Sequence, residues 1–302
     1  MDTFRIEQAQ HGTRLDHALA AHASTLSRGA ARRLCDAGAV ACNGIVCDAS
    51  TRVRGGDEVA WEPQHASLAL ALGLAVRHSD EDCIVVHKPP MLAPHPGTGI
   101  TDSVSDRLER ALSGEGAGLA HRIDRTTSGL LLCGRNRTAL QQLAAAMESG
   151  RIEREYLAIV VGAPAQDSFR IDLPLRVTDE PMGNRPKVLV DARAGLPATT
   201  LVEVLERRPT TSLLHVRLET GRTHQVRAHL AAIGHPLAGD PRYGNAQANE
   251  QLRATHGIQR PLLHSARLAF PGTGGMIEVV AWHEADFARL FPALRTRPAR
   301  EG

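Results

Sequence analysis

Between residues 118 and 130 the chain reads GLAHRIDRTTSGL, with an acid, Asp124, set between Arg122 and Arg125 and followed by hydroxyls and a glycine that lead into an apolar run. Polar groups on a loop at a strand edge are where sites are often built. A neighbouring cation favours the ionised carboxylate, so Asp124 is read as charged and able to act as a base or a nucleophile. The same residues would also suit a turn cap or a stabilising ion pair, and on this segment alone both readings stand. A second stretch runs LETGRTHQVRAHL from Leu218 to Leu230 and continues through GHPLAGD to Asp240. Here a strand turns at Gly221 into a helix, and Arg222 sits in the first turn, where a guanidinium can reach across a cleft if an acid faces it. His224, Arg227 and His229 are read as a hydrated helix face with one satisfied core histidine.

Several familiar chemistries lack their residues. A kinase catalytic loop places Asp directly after His-Arg, whereas Ile123 intervenes here, and no glycine-rich loop precedes it. Ser128 is not in a G-x-S-x-G elbow, His224 and His229 do not form H-E-x-x-H, and Gly97-Thr98-Gly99 has neither dinucleotide nor P-loop spacing. The five cysteines form no C-x-x-C pair, so neither a disulfide framework nor a four-cysteine metal site is expected, and no metal is assigned.

The elements that must hold these stretches follow from periodicity. Leu15 and Leu19 mark a first helix; a second begins at the N-cap Ser27 and stops at Gly38. Asn43-Gly44 between short apolar segments is a hairpin signal, because both turn positions need positive φ. Further on, Cys83 to Val86, Leu130 to Cys133, Glu155 to Val161, Thr199 to Leu205, Leu213 to Leu218, Leu263 to Phe270 and Met276 to Trp282 read as strands. Val104, Leu108 and Leu112, then 138–148, then Val226, Leu230 and Ile233, then 285–291, read as helices. The order is α+β without an internal repeat. The expected domains are 12–63, a linker over 64–78, a catalytic domain over 79–292 and a frayed tail over 293–302.

With 302 residues, 42% hydrophobic and 23% charged, the chain has the composition of a globular protein with a real core. No apolar run approaches a membrane span and Met1 to Gln10 carry no signal core, so a cytoplasmic protein without membrane contact is expected. The net charge of +2 argues for no partner by itself, so local arrangement must. On the second helix Arg28 and Arg32 share a face, with Arg33 beside them.

These stretches carry a resemblance. RLDHAL, LSRGAARRLCDAG, VACNG and RGGDEV resemble the small αL RNA-binding module of a ribosomal protein. HKPPMLAPHPG, GLAHRIDRTTSGLLL, REYLAIVVG, LETGRTHQVRAHLAAIGHPLAGDPRYG and LLHSARLAF look like the ordered motifs of the RluA-type pseudouridine synthases. Ile123, Thr126 and Ser265 depart from the usual residues. The resemblance implies an RNA-binding module ahead of a domain with a mixed, mainly antiparallel central sheet and flanking helices. It also implies an isomerase that converts uridines in structured RNA to pseudouridine, in large-subunit ribosomal RNA above all. Carried over by position, Asp124 is the catalytic aspartate, Tyr156 stacks on the extruded uracil, Arg222 pairs with Asp124 and Arg122 fills the place of the flipped base. Arg28, Arg32 and Arg33 would follow the RNA backbone. Tyr243 is read as structural. No cofactor, nucleotide cofactor included, is implied. Asp124 would either attack the sugar or remove a sugar proton. The competing expectation is a noncatalytic RNA-binding or RNA-folding protein in which Asp124 only stabilises its loop.

Overall fold

The computed structural model describes residues 1–112, 116–181, 186–282 and 285–292, which fall into two compact units: 1–123 with 129–145, and 124–128 with 146–302. The tail expected over 293–302 lies outside the described residues. Among the described residues, no helix is long and apolar enough to cross a membrane.

The first unit opens with β1 (Asp2–Arg5), α1 (Leu15–His22), α2 (Arg28–Asp36), β2 (Val40–Cys42), β3 (Ile45–Val46) and β4 (Glu58–Trp61). The four strands form one antiparallel sheet in the order β1-β4-β2-β3. The Ser27 hydroxyl accepts from the Ala30 amide, Gly38 follows α2 with φ 77°, and Asn43 and Gly44 take φ 51° and 75°. The capping and turn residues thus stand where their chemistry requires. Helix α2 buries Ala30, Ala31, Leu34 and Cys35 and leaves Arg28, Arg32 and Arg33 in solvent.

The segment 64–78, expected as a linker, is instead structured: α3 (Ala66–Leu72) leads into β5 (Ala75–Ser79). Ala66, Ala69 and Leu72 recur at helical spacing and are buried, and Gly73 ends the helix in the left-handed region. The Ala75 amide then bonds to the Ala37 carbonyl, tying β5 to the end of α2. β6 (Cys83–Lys88), α4 (Val104–Ala111), β7 (Gly118–Leu119), β8 (Ser128–Gly134) and α5 (Arg137–Glu148) follow. β6 lies between β5 and β8, and β7 pairs with β8, all antiparallel.

The second unit contains β9 (Glu153–Val161), β10 (Ser168–Asp172), β11 (Leu175–Pro181), β12 (Pro186–Val190), β13 (Thr199–Arg207), β14 (Thr211–Leu218), α6 (Gln225–Ala232), α7 (Ala246–His256), β15 (Leu263–Gly272), β16 (Gly275–Val280) and α8 (Ala285–Leu290). Its main sheet runs β10-β13-β14-β9-β15 with β16 on β15, antiparallel throughout. Strand alternation divides β9 between two faces. Leu157 and Ile159 join Leu252, Phe287 and Phe291 in one core, while Tyr156 opposes Val216 on one side and Ser265 on the other. β11 and β12 form a separate hairpin. This hairpin, like α7, escaped the sequence reading, since Leu175 to Val190 mixes apolar and polar residues over two short edges with no neighbouring sheet to impose alternation.

Candidate functional site

Asp124 opens a tight turn in which its carbonyl oxygen accepts from the Thr127 amide. The turn is fastened from beneath. Arg260, held by Asp286 at 2.7 Å, donates to the Thr126 carbonyl, and the Ser128 hydroxyl meets His264 Nδ1 at 2.9 Å. His264 Nε2 in turn donates to the Ala281 carbonyl at 2.6 Å, which leaves Nδ1 as the acceptor for Ser128. The turn therefore has little freedom, and the Asp124 carboxylate, 25% exposed, is presented at its edge.

The partner of that carboxylate is Arg227, not Arg222. Arg227 Nη1 donates to Asp124 Oδ2 at 2.8 Å, while Nε and Nη2 grip Asp240 in a bidentate pair at 2.8 and 3.0 Å. Arg222 is exposed: its Nε donates to the Pro197 carbonyl at 3.1 Å. The local backbone explains the exchange. The Gln225 side chain accepts from the Arg222 amide and the Thr220 hydroxyl, closing a turn, and His224 enters α6 with φ 52°. The helix so started buries every residue from Gln225 to Leu230, and Arg227 lies on that buried stretch while Arg222 stays in the turn outside it. The hydrated helix face expected for Arg227 is thus also corrected. A clue was present: an arginine amid Val226, Ala228 and Leu230, with an aspartate at 240 in an otherwise apolar segment, is the pattern of two buried charges that require one another.

Burial opposes the charge on Arg227, but the hydrogen bonds and charge of Asp240, joined by those of Asp124, outweigh it and hold the guanidinium above its ordinary value. Asp240 is fully buried, and its Oδ1 also accepts from the amides of Arg242 and Tyr243. The residue before it must be glycine. Gly239 has φ 76°, and a Cβ there would stand 2.2 Å from the Arg260 carbonyl oxygen.

Tyr243 is the pivot of the remaining contacts, in keeping with the structural reading of it. Its hydroxyl oxygen accepts from the Val188 amide and lies 2.9 Å from His224 Nδ1, and the Arg227 guanidinium sits over its ring at 5.1 Å. His224 Nε2 is 3.9 Å from Asp124 Oδ2. Burial lowers the His224 pKa against the opposing pull of Asp124, so the imidazole is neutral at pH 7. His229 is the satisfied core histidine expected, with Nδ1 on the Thr200 hydroxyl and Nε2 on the Leu173 carbonyl. Burial lowers its pKa too.

Both histidines bind a proton less readily when folded than the unfolded value of 6.5. Their contribution to stability is complete above that pH and is lost as pH falls below it, because the unfolded chain takes up protons that the folded chain refuses. Urea midpoints should therefore drop between pH 7.5 and 5, and the His229→Asn variant should show a shallower drop. Identical pH slopes in the two proteins would refute this assignment.

Tyr156 is 4% exposed, more enclosed than an open stacking platform. Burial foremost, and the charge of Asp124 in addition, raise its pKa against the opposing effect of Arg154, so the phenol is protonated. In the first unit Arg122 is exposed, and the fully buried Lys88 ammonium donates to the carbonyls of Pro89 and Leu92, pinning the loop that follows β6. The sequence reading gave Lys88 no role.

Residues 82–232 match the family model of RNA pseudouridylate synthase, and residues 13–59 match the S4 domain. The chain is 35% identical over 312 residues to ribosomal large subunit pseudouridine synthase D of Haemophilus ducreyi, covering 94% of this chain and 92% of that protein. It is 31% identical over 303 residues to ribosomal large subunit pseudouridine synthase C of Salmonella typhi, covering 95% and 94%. The fold is shared with human RNA pseudouridylate synthase domain containing 4, with a TM-score of 0.60 at 24% identity over 77% of this chain and 97% of that one. Identities of this size along nearly the whole length place the chain in the RNA pseudouridylate synthase family, as an isomerase of RNA uridines with an S4 domain at its N-terminal end.

Proposed function

We propose that the protein isomerises uridines of large-subunit ribosomal RNA, with Asp124 as the catalytic group acting on a nucleotide drawn out of its helix. The observation that carries this reading is the pairing of a solvent-reachable carboxylate with a buried guanidinium on a fastened turn. Curated relatives similar along their length bear ribosomal large-subunit names. The reaction breaks the bond between N1 of uracil and the sugar, forms one from ring carbon five to the same sugar carbon, and releases the proton of ring carbon five as N1 gains one. Nothing is consumed, so ionised Asp124 supplies what the sugar centre needs, either by attack or by taking a sugar proton.

Extruding a stacked base costs a few kcal/mol, which contacts to the flipped nucleotide and to the RNA left behind must offset. Arg122, two residues before Asp124 and exposed, is suited to the vacated place because a guanidinium stacks and hydrogen-bonds at once. Tyr156 keeps its proton and lies close enough to Asp124 to feel its charge. Stacking of uracil on its ring requires the side chains that now cover it to yield. Exposed Arg222 is assigned to the RNA backbone instead of to Asp124. In this reading the S4 region captures RNA and the residues after it perform the chemistry. The test is a pseudouridine map of RNA from cells lacking the protein, rescued with the wild type or with Asp124→Asn. The reading requires sites in large-subunit RNA that only the wild type restores, and a map unchanged throughout would overturn it.

The exposed face of α2 gives a separate expectation. Replacing Arg28 and Arg32 with alanine removes two cations that bury nothing, since the helix packs through Ala30, Ala31, Leu34 and Cys35. RNA affinity should weaken, and the slope of log affinity against log salt should fall by roughly 0.7 to 0.9 for each phosphate that is no longer neutralised. Binding measured over a salt series checks it, and an unchanged slope places the RNA path elsewhere.

A further inference from the structure

The hairpin between β5 and β6 brings together three side chains that the pseudouridine chemistry leaves without a task. His78 lies near the end of β5, Cys83 begins β6 and Asp80 stands in the turn. Asp80 Oδ1 accepts from the amides of Asp82 and Cys83 at 2.9 and 2.7 Å, and the Asp80 amide donates to the Cys83 carbonyl, so backbone bonds orient the carboxylate through that oxygen. Its second oxygen, Oδ2, is then met from two sides, by His78 Nε2 at 2.9 Å and by Cys83 Sγ at 3.6 Å, and all three atoms lie within 4.8 Å of one another.

Those separations have a chemical meaning. Around a tetrahedral zinc ion with bonds of about 2.0 Å to N and O and 2.3 Å to S, neighbouring ligand atoms stand roughly 3.3 to 3.5 Å apart. The two measured edges, 2.9 and 3.6 Å, bracket that value. Imidazole, carboxylate and thiolate are also ligands that zinc accepts together. The sulfur is buried whereas His78 and Asp80 are 25% and 33% exposed, which provides a dry side for the S-ligand and a wet side for a water as fourth ligand.

We infer that His78, Asp80 and Cys83 form a binding site for a single zinc-like divalent cation that staples the β5–β6 hairpin, independently of the catalytic reading. Without the ion, the Cys83 thiol keeps its proton as the donor to Asp80 Oδ2. A cation at the centre reverses that balance, because it stabilises thiolate and carboxylate together. Binding therefore releases the thiol proton to solvent and weakens as pH falls.

The test uses the full chain, freed of metal with a chelator and titrated with Co2+, whose thiolate complexes absorb in the near ultraviolet. One equivalent should produce a sulfur-to-cobalt charge-transfer band that one equivalent of Zn2+ removes. In Cys83→Ser the band should vanish, and His78→Gln should raise the dissociation constant at least about tenfold, or 1.4 kcal/mol. Circular dichroism of both metal-free variants establishes that they fold, since neither substitution touches the Asp80-to-amide bonds that form the turn. No band in the wild type overturns the site. So does a band that persists at full strength in Cys83→Ser, since the sulfur would then be Cys35, Cys42, Cys47 or Cys133.

Discussion

Asp124→Asn leaves a folded protein that binds RNA as the wild type does and turns over at least ~100- to 10,000-fold more slowly, the span expected when a positioned acid–base group is lost. The amide keeps the shape of the side chain and can still accept from Arg227 Nη1 at the position where Asp124 Oδ2 now stands, so the turn survives. What it removes is the negative charge and the lone pair able to bond to a sugar carbon or take its proton. The turn's other fastenings, Arg260 on the Thr126 carbonyl and Ser128 on His264, do not involve the carboxylate. Single-turnover conversion on a ribosomal RNA fragment, with affinity measured alongside, separates the two effects. A rate within tenfold of wild type would remove Asp124 from the chemistry.

Arg227→Met has the largest expected effect on stability. The guanidinium serves two acids, and one of them, Asp240, has no access to water. Taking away one partner of a buried pair leaves an uncompensated charge and costs about 3 to 5 kcal/mol. The Arg242 and Tyr243 amides that also hold Asp240 offset only part of that loss. Urea unfolding measures it, and the double variant Arg227→Met with Asp240→Asn should recover much of the loss because the stranded charge is gone. Turnover should stay low in the double variant, since Asp124 still lacks the donor that aims it. Arg227→Lys should rescue neither property fully, because one ammonium cannot copy a fork that bonds two carboxylates in three directions. A single variant as stable as the wild type would show that Asp240 finds its compensation elsewhere.

Most elements were legible because local rules and the tertiary structure agree. Ser27 acts through its own hydroxyl and Gly38 and Asn43-Gly44 through their own backbone angles, and the apolar runs from Leu130 to Cys133 and from Glu155 to Val161 are strands as read, the first buried throughout and the second from Tyr156 to Val160. The segment 64–78 was misread for a physical reason: Ala66, Ala69 and Leu72 make a narrow apolar stripe, and only contact with the rest of its unit turns such short side chains into a core. The β11–β12 hairpin stands apart from the main sheet, so nothing in its alternation declared it.

The sequence by itself determined the chemistry available: a carboxylate at 124 among basic and hydroxyl neighbours, an N-terminal helix with its arginines outward, and ordered motifs sufficient to name the family. Tertiary structure alone decided which arginine completes the site. Arg222 and Arg227 share one motif, and composition cannot rank two guanidiniums five residues apart. The choice rests on where α6 begins, on His224 in the left-handed region, and on Asp240, thirteen positions beyond Arg227, being buried where a charge must find its opposite. An arginine amid Val226, Ala228 and Leu230 marks a charge about to be buried, but which acids compensate it is set by long-range contact and became visible only when the chain was folded.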